Sequence, residues 1–160
     1  YRKNKYSKVT GIFQFMFVDN WNAITWSVVD YSRRPKKGYF TLKTAYQPVL
    51  IGMDLDRERL NVDVLRFGFP EIWIVNDNLK QYKNMCVKIS LLKDKKVVME
   101  EEIKIGNLPA DYVKYISCPS ILKQVENLDM KEKGDYIIEL KLRDQKGNTI
   151  SKNSYLIELV

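Results

Sequence analysis

The sequence predicts a mainly β chain in which an antiparallel sandwich follows a lone strand-and-helix unit, and three observations carry that expectation. Beyond Pro48, apolar residues recur at period two in short segments divided by turn residues. Before Pro48, a nearly unbroken apolar run leads through a polar loop into a stripe at helical spacing. The charge divides at the same place: residues 1–48 hold nine Lys or Arg against two acids, Asp19 and Asp30, whereas residues 49–160 hold eighteen of each sign.

The first element is the run Gly11-Ile12-Phe13-Gln14-Phe15-Met16-Phe17-Val18. A strand covered on both faces of a parallel sheet reads this way, because no position faces water and none needs to be polar. An aromatic and polar loop, 19–34, brings the chain to Pro35, whose missing N–H suits the first turn of a helix. Tyr39, Leu42, Tyr46 and Val49 fall at i, i+3, i+7 and i+10, with Phe40 and Ala45 beside that stripe, and Pro48 stops the helix. A parallel strand needs parallel neighbours on its edges and helices over its faces. Residues 1–48 are therefore expected to be the remnant of a domain whose other elements lie upstream, and the opening at Tyr1, without an initiator Met, agrees with a piece of a longer polypeptide.

The sandwich is expected to occupy residues 49–160. Its clearest strand alternates Ile138, Leu140 and Leu142 with Glu139, Lys141 and Arg143, and another alternates Val87, Ile89 and Leu91 with Lys88 and Ser90. Lys93-Asp94-Lys95-Lys96 turns the chain into a strand beginning at Val97, which makes a hairpin. Further strands are expected at 49–55, 60–67, 72–75, 112–118 and 149–159, with Gly147-Asn148 in the last turn; residues 120–130 read as a helical turn or an irregular crossover. Seven or eight such strands fit an immunoglobulin-like sandwich.

Composition removes several chemistries. The chain has no histidine, which excludes Ser-His-Asp triads, His-ligated zinc and imidazole acid–base work. Two cysteines, Cys86 and Cys118, make neither a disulfide framework nor a zinc cluster, and a free, mostly buried thiol is the expectation. No cofactor or metal is expected. The net charge of +7 sits in two clusters that flank apolar elements, so neither a nucleic acid nor a membrane is an expected partner.

The stretch from Gly11 to Leu50 resembles the end of the catalytic barrel in the glycoside hydrolase family of β-mannosidase, β-galactosidase and β-glucuronidase, and most closely the β-mannosidase branch. The matching residues are Gly11, Asp19 and Trp21, then Trp26-Ser27-x-x-Asp30-Tyr31, Arg34-Pro35-Lys36 and Pro48-Val49. Trp73-Ile74-Val75-Asn76-Asp77-Asn78 is similar to a strand of that family's C-terminal domains. The resemblance implies that residues 1–48 are the last strand and helix of a (β/α)8 barrel, and that the parent is a retaining β-glycosidase with two catalytic glutamates about 5 Å apart. In that family both lie on barrel strands upstream of this chain. The first glutamate here is Glu58, already past the helix, so no residue of the chain is assigned to catalysis, and Glu100-Glu101-Glu102 reads as a solvated sheet edge.

Active sites of such barrels lie at the C-terminal ends of the strands. The candidate sugar-lining residues are therefore Phe15, Phe17, Asp19, Asn20 and Trp21, aromatics to stack on a pyranose and polar groups to meet its hydroxyls. Trp26 is expected to pack and Asp30 to cap the turn into the helix. Where the family has a Trp and a polar residue on this strand, this chain has Phe15 and Met16, which changes the surface offered to the sugar. The implied partners are the upstream barrel and a carbohydrate substrate. Without that barrel the apolar strand is expected to dock on the sandwich, pair with a second copy as a homo-oligomer, or lack order. The alternative reading is an immunoglobulin-like module that itself binds carbohydrate or protein through Tyr112, Tyr115 and Trp73.

Overall fold

Alternation along the chain becomes two faces in space. A computed structural model of the protein describes residues 1–55, 59–60, 70–117 and 134–159. The chain falls into two units, Tyr1–Gln47 and Pro48–Val160.

The second unit is built from strands β1 (Val49–Met53), β2 (Arg59–Leu60), β3 (Ile72–Asn76), β4 (Tyr82–Lys93), β5 (Lys96–Leu108), β6 (Tyr112–Ile116), β7 (Gly134–Arg143) and β8 (Thr149–Leu159). Among the described residues they form a three-stranded sheet in the order β1-β3-β6 and a five-stranded sheet in the order β2-β8-β7-β4-β5. Every pairing is antiparallel except that of the two-residue β2 with β8. Tyr136, Ile138, Leu140 and Leu142 of β7 join Met85, Val87 and Ile89 of β4, Val49, Ile51 and Met53 of β1, and Ile72 and Ile74 of β3 in one buried cluster. The intervening residues of the larger sheet carry an ionic ladder, with Lys88 Nζ 2.6 Å from Glu100 and Lys141 and Lys152 at 2.7 and 2.6 Å from Glu139. Glu100-Glu101-Glu102 lies on β5, the edge strand of that sheet.

The hairpin expected at Lys93–Lys96 has two central residues, Asp94 (φ 49°) and Lys95 (φ 65°), both left-handed, between the paired Lys93 and Lys96. That is the type I′ geometry whose twist matches the strands it joins. Its arms run 12 and 13 residues, well past the alternating core that marked them. In the last turn Gly147 takes φ 82°, while Asp144 accepts the backbone N–H groups of Lys146 and Asn148 through Oδ1. Of the strand expected at 60–67, only Leu60 lies among the described residues; the 120–130 stretch and Cys118 lie outside them.

Side chains close both open sides of the sandwich. On one, Ile51 and Met53 of edge strand β1 donate their backbone N–H groups to Ser151 Oγ (3.1 Å) and Tyr155 Oη (3.0 Å), and the Ile51 carbonyl accepts from Asn153 Nδ2 (3.2 Å). Three alternate residues of β8 thus serve backbone groups that have no neighbouring strand among the described residues. On the other side, Lys114 Nζ of β6 donates to the carbonyls of Ile105 (2.6 Å) and Asn107 (3.2 Å) on β5. Burial raises the Tyr155 hydroxyl pKa, so it stays protonated at neutral pH. Tyr155→Phe leaves the Met53 N–H without its acceptor and is expected to cost about 1–3 kcal/mol in urea unfolding. Tyr112→Phe, on a residue 48% exposed, is expected to stay within about 0.5 kcal/mol.

The first unit by itself does not show the expected strand. Residues 11–18 form no strand, and their only pairing is an isolated bridge between Val18 and Val29. Phe13, Phe15 and Phe17 are 93, 77 and 53% exposed. A strand gains its hydrogen bonds from strands alongside it, and here the segment receives only scattered bonds, at the carbonyls of Ile12 and Phe17 and the bridge at Val18. The helix, α1, spans Lys37–Ala45, beginning two residues after Pro35, with Lys36 as its N-cap. None of its residues is buried, and Val49, placed on the helical stripe by spacing, belongs to β1 instead.

Candidate functional site

The candidate residues lie in the first unit, where backbone bonds fold the chain around residues 17–36. Val28 and Val29 donate to the Phe17 carbonyl at 3.2 and 3.0 Å, Asp19 N donates to Val29 O at 3.0 Å, and Lys36 N donates to Val28 O at 2.9 Å. Val28, Val29 and Ser27 are buried by this arrangement, as is Asp19, which is 2% exposed.

Asp19 is the polar centre. Its Oδ1 accepts from Thr25 Oγ1 and from Ser27 Oγ (2.6 Å), and its Oδ2 lies 2.9 Å from Lys36 Nζ. Lys36 also donates to Ser27 Oγ (2.8 Å) and reaches the Thr25 carbonyl (3.4 Å), so each of its three protons has an acceptor. The Ser27 and Thr25 hydroxyls, followed by Lys36, lower the pKa of Asp19 to about 2 against the opposing effect of desolvation. Because the folded value is depressed, the stabilisation from this carboxylate is complete above the ordinary carboxylate range and is lost as pH falls through about 2. Unfolding of the first unit, followed by tryptophan emission, is therefore expected to change little from pH 7 to about pH 5 and to ease progressively below that.

Of the sequence candidates, Phe15, Phe17, Asn20 and Trp21 are exposed while Asp19 is enclosed. Phe17 approaches Tyr39 of α1 with ring centroids 6.3 Å apart, and Tyr39 meets Phe40 edge-on at 5.5 Å. The Phe15–Met16 peptide is cis. Trp26, expected to pack, is 71% exposed. Asp30 closes the turn before the helix, its Oδ1 accepting Arg34 N at 2.8 Å and its Oδ2 meeting Arg34 Nε at 2.9 Å. Thr25, Ser27 and Lys36 received no role from sequence; hydroxyls six and eight residues after an Asp signal a clipped loop only once its path is known.

The second unit offers two other places. A cleft of about 480 Å³ is lined by Asn84, Cys86, Glu102, Lys104, Arg143 and Asp144 among others. Among the described residues that line it, acids and bases balance and none is aromatic, and burial raises the pKa of the Cys86 thiol, holding it protonated. The aromatic platform of Tyr112, Tyr115 and Trp73 does not assemble. Trp73 pairs with Tyr115, whereas Tyr112 pairs with Asn76 and has the opposite parity on β6. Asn76 is buried, its Nδ2 donating to the carbonyls of Lys80 (2.9 Å) and Pro109 (2.6 Å), so this polar residue of the strand motif fastens two loops.

No family model matches the chain. A β-mannosidase B from Thermothelomyces thermophilus is 40% identical over 77 residues, which cover 43% of this chain and 9% of that protein. Among solved structures, the exo-chitosanase CsxA of Amycolatopsis orientalis superposes with a TM-score of 0.74 at 15% identity, covering 98% of this chain and 17% of that one. A β-D-mannosidase from Dictyoglomus thermophilum gives 0.63 at 21% identity, with the same two coverages. Over those 77 residues the chain is similar to a glycoside hydrolase, and in fold it is similar to two more. The two structures carry the fold, a mainly β chain with two packed sheets that matches the C-terminal β-sandwich of glycoside hydrolases. The chain spans less than a fifth of the length of any of these relatives.

Proposed function

We propose that the chain is the C-terminal segment of a retaining β-glycosidase, in which residues 1–48 supply the last strand and helix of the catalytic barrel and the immunoglobulin-like sandwich buttresses that barrel. The observation that carries this reading is the 40% identity to a β-mannosidase. The exposure of Phe13, Phe15, Phe17 and Trp21 supports it, since a run so apolar gains its stability by being covered. In this reading the upstream barrel covers one face of the run, and Phe15, Phe17 and Trp21 offer the sugar an aromatic wall, with Asn20 bonding its hydroxyls. The two catalytic glutamates come from the barrel, and the segment alone hydrolyses nothing.

The test is a panel of aryl β-glycosides offered to the natural polypeptide extended upstream by roughly 200–250 residues, enough for a whole barrel. Turnover of one glycoside by the extended protein, and of none by residues 1–160, is the expected result. A folded extended protein that turns over no member of the panel would overturn the reading, as would an upstream sequence that encodes no barrel.

A further inference from the structure

The loop that carries Trp21 has nothing of its own to hold it. Residues 20–24 are all exposed, Ile24 completely, and the apolar side chains among them rest on no core. What fixes the loop is its base. Asp19 at one end is bonded to Thr25 and Ser27 at the other, and Lys36, one residue before α1, closes the same cluster from the side. Trp21 stands two residues inside one end of this clip, and Trp26 stands between the two hydroxyl residues of the other.

We propose that Asp19 is a positioning residue: with Thr25, Ser27 and Lys36 it clips the loop and sets where the Trp21 and Trp26 indoles stand, and it does not itself meet a ligand. The carboxylate is 2% exposed and both its oxygens already accept from the chain, so its enclosure keeps a sugar hydroxyl from reaching it. A loop ordered before binding loses less entropy on binding, so the clip raises the affinity of an aromatic platform without touching the ligand. Asp30, the other acid of residues 1–48, is answered by Arg34, which leaves Lys36 as the cation facing Asp19 among the described residues. That the indoles meet a sugar rests on the function proposed above; the clip does not.

The experiment uses residues 1–160 with ¹⁵N labelling and reads the three indole N–H resonances, assigned by single Trp→Phe variants. Asp19→Asn keeps the shape but cannot accept from Lys36 through its amide nitrogen, and Lys36→Met removes all three of the lysine's bonds. Both are expected to shift or broaden the Trp21 and Trp26 signals while Trp73, in the other unit, keeps its position. Lys36→Arg, which restores the charge, is expected to bring both signals back toward those of the parent. In the parent the Trp21 and Trp26 signals should hold steady on acidification until well below the ordinary carboxylate range, and in Lys36→Met they should move at higher pH. Unchanged Trp21 and Trp26 signals in both variants would overturn the proposal. Loss of all three signals together would overturn it too, since the cluster would then support the whole chain and not the loop. Inactivity of the extended protein on glycosides would leave these outcomes as they are, so the two proposals fail separately.

Discussion

Leu140→Ala is expected to destabilise the sandwich by about 2–5 kcal/mol, the range for truncating a buried leucine whose surroundings cannot collapse into the gap. Leu140 is fully buried on β7, which lies between β8 and β4 in the larger sheet, and it pairs directly with Ile89 and Asn153. Strands on both sides hold its backbone, and inward residues of the facing sheet belong to the same cluster, so among the described residues no segment is free to move in and refill the space. A unit of this size loses roughly 4 °C of Tm per kcal/mol, which puts the expected fall at about 8–20 °C. Ile137→Ala is the control. It removes a similar aliphatic group one residue away, but Ile137 is 39% exposed on the opposite face, and a loss within about 1 kcal/mol is expected. Equal losses at the two positions in urea unfolding would show that β7 does not divide core from solvent as described.

Gly52→Ala is expected to cost about 1–3 kcal/mol even though it adds a single methyl group, because it overpacks an aromatic contact. Gly52 and Trp73 are direct cross-strand partners on β1 and β3, and the indole lies across the glycine. A Cβ at residue 52 would stand 2.2 Å from Trp73 Cζ2 and 2.4 Å from Cη2, so the ring has to leave its place. A glycine in a strand interior otherwise weakens it, and the indole covering the bare backbone offsets that loss. The near-UV circular dichroism of Gly52→Ala should change along with its urea midpoint. Trp73→Leu in the same chain should recover part of the stability, because the leucine leaves room for the new methyl group. Retention of the parent spectrum and midpoint by Gly52→Ala would contradict the contact.

How much of this was legible in the sequence differs from strand to strand. In β7 the inward residues are all apolar, Tyr136, Ile138, Leu140 and Leu142, and the strict alternation told both the strand and its buried face. The Lys93–Lys96 hairpin was equally open to reading, since Asp tolerates the left-handed backbone that a two-residue turn demands. In β8 the same rule misleads. Ser151, Asn153 and Tyr155 alternate as a solvent face would, yet Ser151 is 3% exposed and all three bond backbone groups or one another where β1 ends the smaller sheet. Their partners are about a hundred residues away, and hydropathy at one position holds no record of them.

The candidate site divides in the same manner. The resemblance put Phe15, Phe17, Asn20 and Trp21 at the end of a barrel strand as groups able to meet a sugar, and all four are exposed in the segment. It also marked Asp19, as a carboxylate beside them, but whether a carboxylate faces ligand or chain depends on which donors surround it. Thr25, Ser27 and Lys36 do so here. Residues 11–18 show the converse: their apolar composition describes a covered strand, and a strand exists only where neighbours supply hydrogen bonds. The sequence by itself determined the local quantities, namely the mainly β class, the strand periods of the sandwich and its turns, because each depends on residues adjacent in the chain. Tertiary structure alone decided which polar groups lie inside, what closes the sheet edges and what Asp19 does, because hydrogen bonds are satisfied between residues that only folding brings together.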